Sequence, residues 1–227
     1  MHRVQKLLSN YGYCSRRKAE ELIKEGKVKV NNKIISIGDK ASENDKIYVN
    51  NKLIKTQKKV YLMLNKPIGC VTALKDGQYK TIMEFIKIEE RVFPIGRLDY
   101  NTSGIILLTN DGDFANKVMH PRYETKKTYS AETDKPVTKE DIESIEAGIE
   151  LEDGKTRPAK VKIHSANLIE ITIHEGKNRI IRRMLKALRI KTISLERTRI
   201  GKLSLGNLKQ GTYKNLTKKD IEKIFSV

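Results

Sequence analysis

Four consecutive large aliphatic residues, Ile105-Ile106-Leu107-Leu108, follow directly on a polar loop at 94–104 that carries Gly96, Arg97, Asp99 and Gly104. A short, unbroken apolar run bounded by turn residues reads as a strand buried on both faces. Such a strand needs sheet neighbours on either side and cover above and below, so the chain must be built around it. Asp99 then stands beside a rigid element, which is how a reactive carboxylate is held in place. A structural aspartate capping a turn explains the local pattern equally well.

The chain has 227 residues, 38% of them apolar, enough for one large domain or for a small one plus a medium one. No window approaches ~18 consecutive apolar residues, so no membrane-spanning helix is expected. Met1-His2-Arg3-Val4-Gln5-Lys6 is polar and basic rather than a signal-peptide core, and a cytoplasmic location is the expectation. The net charge of +18 calls for an anionic partner. Nucleic acid leads, because no basic amphipathic helix with an aromatic face points to a membrane. The plain alternative is lysine enrichment without function. Cys14 and Cys70 match neither metal nor redox spacing and read as free thiols. His2, His120, His164 and His174 are scattered, so no metal site is expected.

Residues 1–52 read as a small module. Val4, Leu7 and Leu8 share a helical face that ends near Gly12. Ser15 is placed to cap a second helix, with Ala19, Leu22 and Ile23 as its apolar stripe and Gly26 as its stop. Alternating residues at 27–35 flank Asn31-Asn32, which tolerate positive φ and predict a hairpin. Arg16, Arg17 and Lys18 put cations in the first turn of the second helix, against its dipole. That arrangement suits an external phosphate, which the free N–H groups at Ser15 would also bind, and Lys27 and Lys29 extend the patch. A solvated basic face is the alternative. The run from Gln5 to Glu20, with Gly26-Lys27-Val28-Lys29-Val30-Asn31-Asn32 and Ile37-Gly38-Asp39, resembles the S4 RNA-binding domain, in which the second helix and the hairpin contact structured RNA.

Residues 53–59 are polar and basic and read as a flexible linker. Residues 60–227 form the larger unit. Strands are expected at 60–67, 69–73, 125–131, 159–163, 168–173, 192–197 and 201–205, and helices at 81–86, 113–119, 178–188 and 217–225, with another starting at Thr138. Strands outnumber helices and the connections are mixed. The expected fold class is therefore α+β: a small N-terminal module, then a larger domain with a mixed, mainly antiparallel sheet and flanking helices.

Three stretches of the larger unit carry chemistry: Gly96-Arg97-Leu98-Asp99, Lys127-Thr128-Tyr129, and Gly176-Lys177-Asn178-Arg179 running on to Arg182-Arg183-Met184. In the third, Arg179, Arg182 and Arg183 at helical spacing place several guanidiniums on one face, with Asp99 a natural partner. Leu64-Asn65-Lys66-Pro67, Gly96-Arg97-Leu98-Asp99 with Thr102-Ser103-Gly104, and the arginine stretch, in this order, resemble the rRNA pseudouridine synthases that carry an N-terminal S4 domain. The resemblance spans essentially the whole chain. Phe93-Pro94-Ile95, Asn110-Asp111-Gly112-Asp113 and His120-Pro121-Arg122 look more like the branch acting on 23S rRNA. One position departs: Ile180 stands where the family usually has glutamine.

The resemblance implies that Asp99 is the catalytic carboxylate, with Tyr129 packing against the target base and Arg182 pairing with Asp99. Arg97 would displace or hold a flipped-out nucleotide. Lys177 and Arg179, with Ser15, Arg16, Arg17, Lys18, Lys27 and Lys29, would bind RNA. The reaction isomerises a uridine without metal or organic cofactor. The carboxylate serves either as nucleophile at the ribose or as the base that removes a ribose proton to give a glycal. Ribosomal RNA, or a subunit assembly intermediate, is the implied partner of a monomeric enzyme. A 16S-directed synthase, or an inert rRNA-binding assembly factor, is the competing reading.

Overall fold

The computed structural model describes residues 1–226. The chain packs as two compact units: Met1–Tyr61 with Ile88–Phe93 and Thr109–Phe114, and Leu62–Lys87 with Pro94–Leu108 and Ala115–Val227.

The first unit begins with β1 (His2–Arg3), α1 (Val4–Asn10), α2 (Arg16–Lys24), β2 (Val28–Val30), β3 (Lys33–Ile34), β4 (Lys40–Ala41), β5 (Ile47–Val49) and β6 (Lys52–Leu53). Val4, Leu7 and Leu8 of α1 meet Ala19, Leu22 and Ile23 of α2 over Val28, Ile47 and Val49 in one apolar core. The sheet runs β3-β2-β5-β6, and Asn31 and Asn32 turn β2 into β3 with φ of +46° and +70°. The expected linker is tied at its end. Asn110 accepts from the Val60 N–H at 2.9 Å and donates to the Lys58 carbonyl at 2.8 Å. Asp111 accepts from the Tyr61 hydroxyl at 2.8 Å and pairs with Lys59 at 2.9 Å.

The second unit is organised by a sheet of nine strands. In chain order the strands and α-helices from residue 61 onward are β7 (Tyr61–Lys66), β8 (Phe93–Ile95), β9 (Ser103–Thr109), α3 (Gly112–Met119), β10 (Lys127–Thr133), α4 (Lys139–Ala147), β11 (Lys160–Ser165), β12 (Leu168–Ile173), α5 (Ile180–Ala187), β13 (Thr192–Ile200), β14 (Leu203–Ser204), β15 (Tyr213–Asn215) and α6 (Lys218–Phe225). The strand order is β11-β12-β10-β13-β9-β7-β15, with β14 beside β13 and β8 beside β9. The β10, β11, β12 and β13 pairings are antiparallel, while β9 joins β13 in parallel. Every residue of β9 is buried, as expected of the apolar run at 105–108.

Three expected elements differ. The helix expected at 81–86 is a short 3-10 turn over Ile82–Phe85, capped by Thr81. Residues 69–73 form no strand; they hold only a single bridge from Val71 to Thr81. The helix expected at 178–188 begins at Ile180, because Arg179 adopts a left-handed backbone (φ +49°) that ends helical propagation on its N-terminal side.

Candidate active site

Asp99 sits in the loop between β8 and β9, and two buried side chains hold that loop. Lys66, the last residue of β7, is fully buried, and its ammonium donates to the carbonyls of Pro67 at 3.0 Å, Asp99 at 3.0 Å and Thr102 at 2.9 Å. All three of its donors are therefore spent on backbone. Burial lowers its pKa, opposed by Cys70 and Asp99. On the other side, the Thr72 hydroxyl donates to the Leu98 carbonyl at 2.8 Å and accepts from the Leu98 N–H at 3.1 Å. The residues before and after Asp99 cannot shift without breaking buried hydrogen bonds.

The guanidinium facing the Asp99 carboxylate is that of Arg179, at 3.5 Å, with the two side chains 50% and 31% exposed. Arg182 does not make that pair. It donates to the Asn101 carbonyl at 2.7 Å and to the Thr192 carbonyl at 3.3 Å. The cause is the late start of α5: Arg179 lies outside the helix in its left-handed turn, while Arg182 belongs to the first turn and reaches backbone. Burial first, and Arg179 next, lower the pKa of Arg182, with Asp99 opposing. Arg183 binds both oxygens of Asp153, at 2.8 and 2.9 Å. The three guanidiniums thus diverge rather than share one face.

Tyr129 lies in the middle of β10, opposite Arg197 of β13. Arg197 is buried; it donates through Nε to the Ile105 carbonyl at 2.7 Å and through Nη1 to the Tyr129 hydroxyl at 3.5 Å. Its backbone crosses β9 at Gly104, where a Cβ would stand 2.3 Å from the Arg197 carbonyl oxygen and φ is +102°, so only glycine allows the approach. Lys127, two residues before Tyr129, shares its face of the strand. Burial, and then Arg197, push its ammonium down to about 8.

These groups line one cavity of about 240 Å³ whose walls include Asp99, Tyr129, Lys127, Arg179 and Arg197, with Ile173, Ile180 and Leu195 as apolar surface. Ile180, at the position where glutamine is the family habit, is buried in this wall. A larger, open hollow of about 720 Å³ shares Arg97, Asp99 and Arg179 with the cavity and adds Tyr100. Arg97 is exposed at its edge.

Lys177 borders both spaces, but its ammonium donates to the carbonyls of Asp153, Gly154 and Lys155 at 3.2, 2.7 and 3.1 Å. It holds the turn at 153–155. In the first unit, Ser15 caps α2 by accepting from the Lys18 N–H at 3.2 Å. Arg16 and Arg17 are exposed in a first turn that contains no acid. Lys18 pairs with Glu21 at 2.8 Å, Lys27 pairs with Glu25 at 2.6 Å, and Lys29 donates to Asn51 at 3.0 Å. Such exposed contacts are weak and yield readily to a phosphate.

Lys66, Thr72, Lys127 and Arg197 were not singled out in the sequence as site residues. Lys66 lies inside a motif that carried the resemblance, and Lys127 opens the Lys127-Thr128-Tyr129 stretch. Arg197 had one signal, a cation on the inward side of an alternating strand.

The model of the RNA pseudouridylate synthase family matches residues 60–187, and that of the S4 domain matches residues 2–47. The chain is 46% identical to the ribosomal large subunit pseudouridine synthase B of Bacillus subtilis (strain 168), covering 99% of this chain and 96% of the relative. It is 38% identical to the dual-specificity RNA pseudouridine synthase RluF of Escherichia coli (strain K12), covering 99% and 79%. A crystal structure of a pseudouridylate synthase superposes with a TM-score of 0.74 at 32% identity, covering 99% of this chain and 100% of that one. With a synthase domain behind an S4 domain, the chain belongs to the RNA pseudouridine synthases of the RsuA/RluB type.

Proposed function

We propose that this enzyme isomerises a uridine of ribosomal RNA, in the large-subunit 23S molecule, with Asp99 as the catalytic carboxylate acting on a flipped-out nucleotide. The observation that carries the assignment is the position of Asp99 in a cavity of about 240 Å³ between Tyr129 and Arg179. That space lies below the ~300–1,000 Å³ of drug-sized ligand sites, on the scale of one nucleobase. The Bacillus subtilis relative, named for the large ribosomal subunit and matched over nearly its whole length, supports the choice of RNA.

The chemistry breaks the bond between uracil N1 and ribose C1′, turns the base, and joins C5 to C1′. The proton on C5 is lost and N1 regains one, so atoms balance without redox change. Asp99 acts at the sugar, as nucleophile or as base, while the ring of Tyr129 packs against the base. Arg182 acts through the backbone of Asn101, and Arg179 offers its half-exposed guanidinium to a phosphate. Extruding the uridine costs a few kcal/mol, which contacts to the RNA backbone offset. Residues 1–52, through Arg16, Arg17 and the S4 hairpin, supply part of that binding, and residues 60–227 the catalysis. The enzyme acts in the cytoplasm as a monomer.

The test is pseudouridine mapping of all RNA classes from cells with and without the gene. Loss of one 23S pseudouridine is the expected result. An unchanged map would sink the reading, and a lost site in another RNA would replace the substrate while keeping the chemistry.

A further inference from the structure

Tyr79 and Tyr100 form an edge-to-face pair with ring centroids 5.3 Å apart and planes at 63°. They are 46% and 42% exposed. Neither hydroxyl has a hydrogen-bond partner among the described residues. Other tyrosines use theirs: Tyr61 donates to Asp111 at 2.8 Å, and Tyr213 to the Lys87 carbonyl at 2.7 Å.

The pair is nevertheless held firmly. Asp76 accepts from the N–H groups of Gln78 and Tyr79, both at 2.9 Å, and Val71 bonds the Lys80 carbonyl at 2.9 Å. That turn fixes Tyr79. Tyr100 follows Asp99 directly, and its carbonyl accepts from the Gly69 N–H at 3.0 Å. Preset ring geometry reduces the ordering cost of binding a flat partner.

Tyr100 also lines the hollow of about 720 Å³ next to the Asp99 cavity, together with Arg97 and Arg179. An exposed ring face beside guanidiniums is the combination that takes a single-stranded nucleotide: the base stacks and the cations meet its phosphates. We propose that Tyr100, braced by Tyr79, stacks the unpaired base next to the target uridine, so that this hollow is a subsite for the flanking nucleotide. The inference rests on the proposed action on large-subunit rRNA. It deepens that reading by giving the neighbour of the flipped base a place of its own, and it commits to RNA rather than to a protein partner.

The test measures tritium release from large-subunit rRNA transcribed with [5-³H]uridine, offered free and in subunit particles. Stacking worth ~1–3 kcal/mol per base makes the KM of Tyr100→Ala rise roughly 5- to 150-fold. Its kcat stays within about twofold of wild type. Tyr100→Leu, which keeps bulk but has no π face, behaves like Tyr100→Ala, whereas Tyr100→Phe keeps the wild-type KM. Tyr79→Ala gives an intermediate rise. An unchanged KM in Tyr100→Ala, a Tyr100→Phe as impaired as Tyr100→Ala, or a loss confined to kcat would overturn the subsite while leaving the enzyme assignment in place. Absence of release by the wild-type protein from both substrates would remove the functional reading and this inference together.

Discussion

The buried ammonium of Lys66 donates to the backbone carbonyl of Asp99 at 3.0 Å, so the residue assigned the chemistry is positioned through its main chain. Replacing Lys66 by Met leaves the carbonyls of Pro67, Asp99 and Thr102 without this donor. An unsatisfied buried group costs ~1–3 kcal/mol, partly offset because a buried charge is also removed. Lys66→Met is expected to lose about 2–4 kcal/mol in urea unfolding and to lower kcat. Unchanged stability would mean that the ammonium does not hold this loop.

Asp99→Asn keeps the shape of the side chain and removes its charge. Tritium release from [5-³H]uridine-labelled rRNA should vanish, while affinity for the same RNA stays within about threefold. Retained turnover would remove Asp99 from the mechanism.

Arg179 and Arg182 are expected to separate kinetically. The contact of Arg179 with Asp99 at 3.5 Å is longer than a strong charge-assisted bond and half exposed, so it is readily exchanged for a phosphate. Arg179→Ala should raise KM and reduce the dependence of log affinity on log salt by about one. Arg182→Ala frees the Asn101 carbonyl and loosens the loop, and a misplacement of ~1 Å costs on the order of 10²-fold in kcat. The opposite pattern in steady-state kinetics would exchange the two roles.

The double change Arg16→Ala and Arg17→Ala tests the first unit. Both cations are exposed, and Ser15 retains its cap without them. Affinity for rRNA should fall uniformly across sequences, with the salt slope reduced by about 1.5–2. An unchanged slope in filter binding would show that α2 does not meet phosphate.

Lys127 links stability to pH. Its ammonium titrates near 10.5 in an unperturbed setting and at about 8 in the fold. Between those values the unfolded chain holds the proton and the folded chain does not, so stability rises with pH across that window. Below it the fold carries a half-buried cation, whose ammonium donates to the Thr125 carbonyl at 3.3 Å. Lys127→Met should therefore melt higher than wild type at pH 7, by ~2–4 °C for each kcal/mol relieved. The advantage should shrink as pH rises from about 8 towards 10.5. A pH-independent difference would mean that the amine is solvated.

Local rules made much of this molecule legible. The caps at Ser15, Thr138 and Thr217, the Asn31-Asn32 turn and the buried run at 105–108 depend on a few neighbouring residues, and each appears in place. What escaped depends on distant partners. Spacing alone put Arg179, Arg182 and Arg183 on one face. The left-handed turn at Arg179, and acceptors at Asp99, Asn101 and Asp153, sent them three ways. The part Lys177 plays inside the fold was hidden, because nothing near it in sequence announced the three carbonyls at 153–155. Residues 69–73 have a strand's composition but find only one bridging partner, at Thr81.

The parallel junction of β9 with β13 sets an order in time. Gly104 meets Arg197, and Arg197 in turn holds Ile105 and Tyr129, so the cavity cannot close until both segments exist. At ~5–20 residues per second the ribosome needs of the order of 5–20 s to carry the growing chain from one to the other. Throughout that interval Asp99 is already made, but the cavity it lines still lacks the wall that Leu195, Arg197 and Ile200 supply.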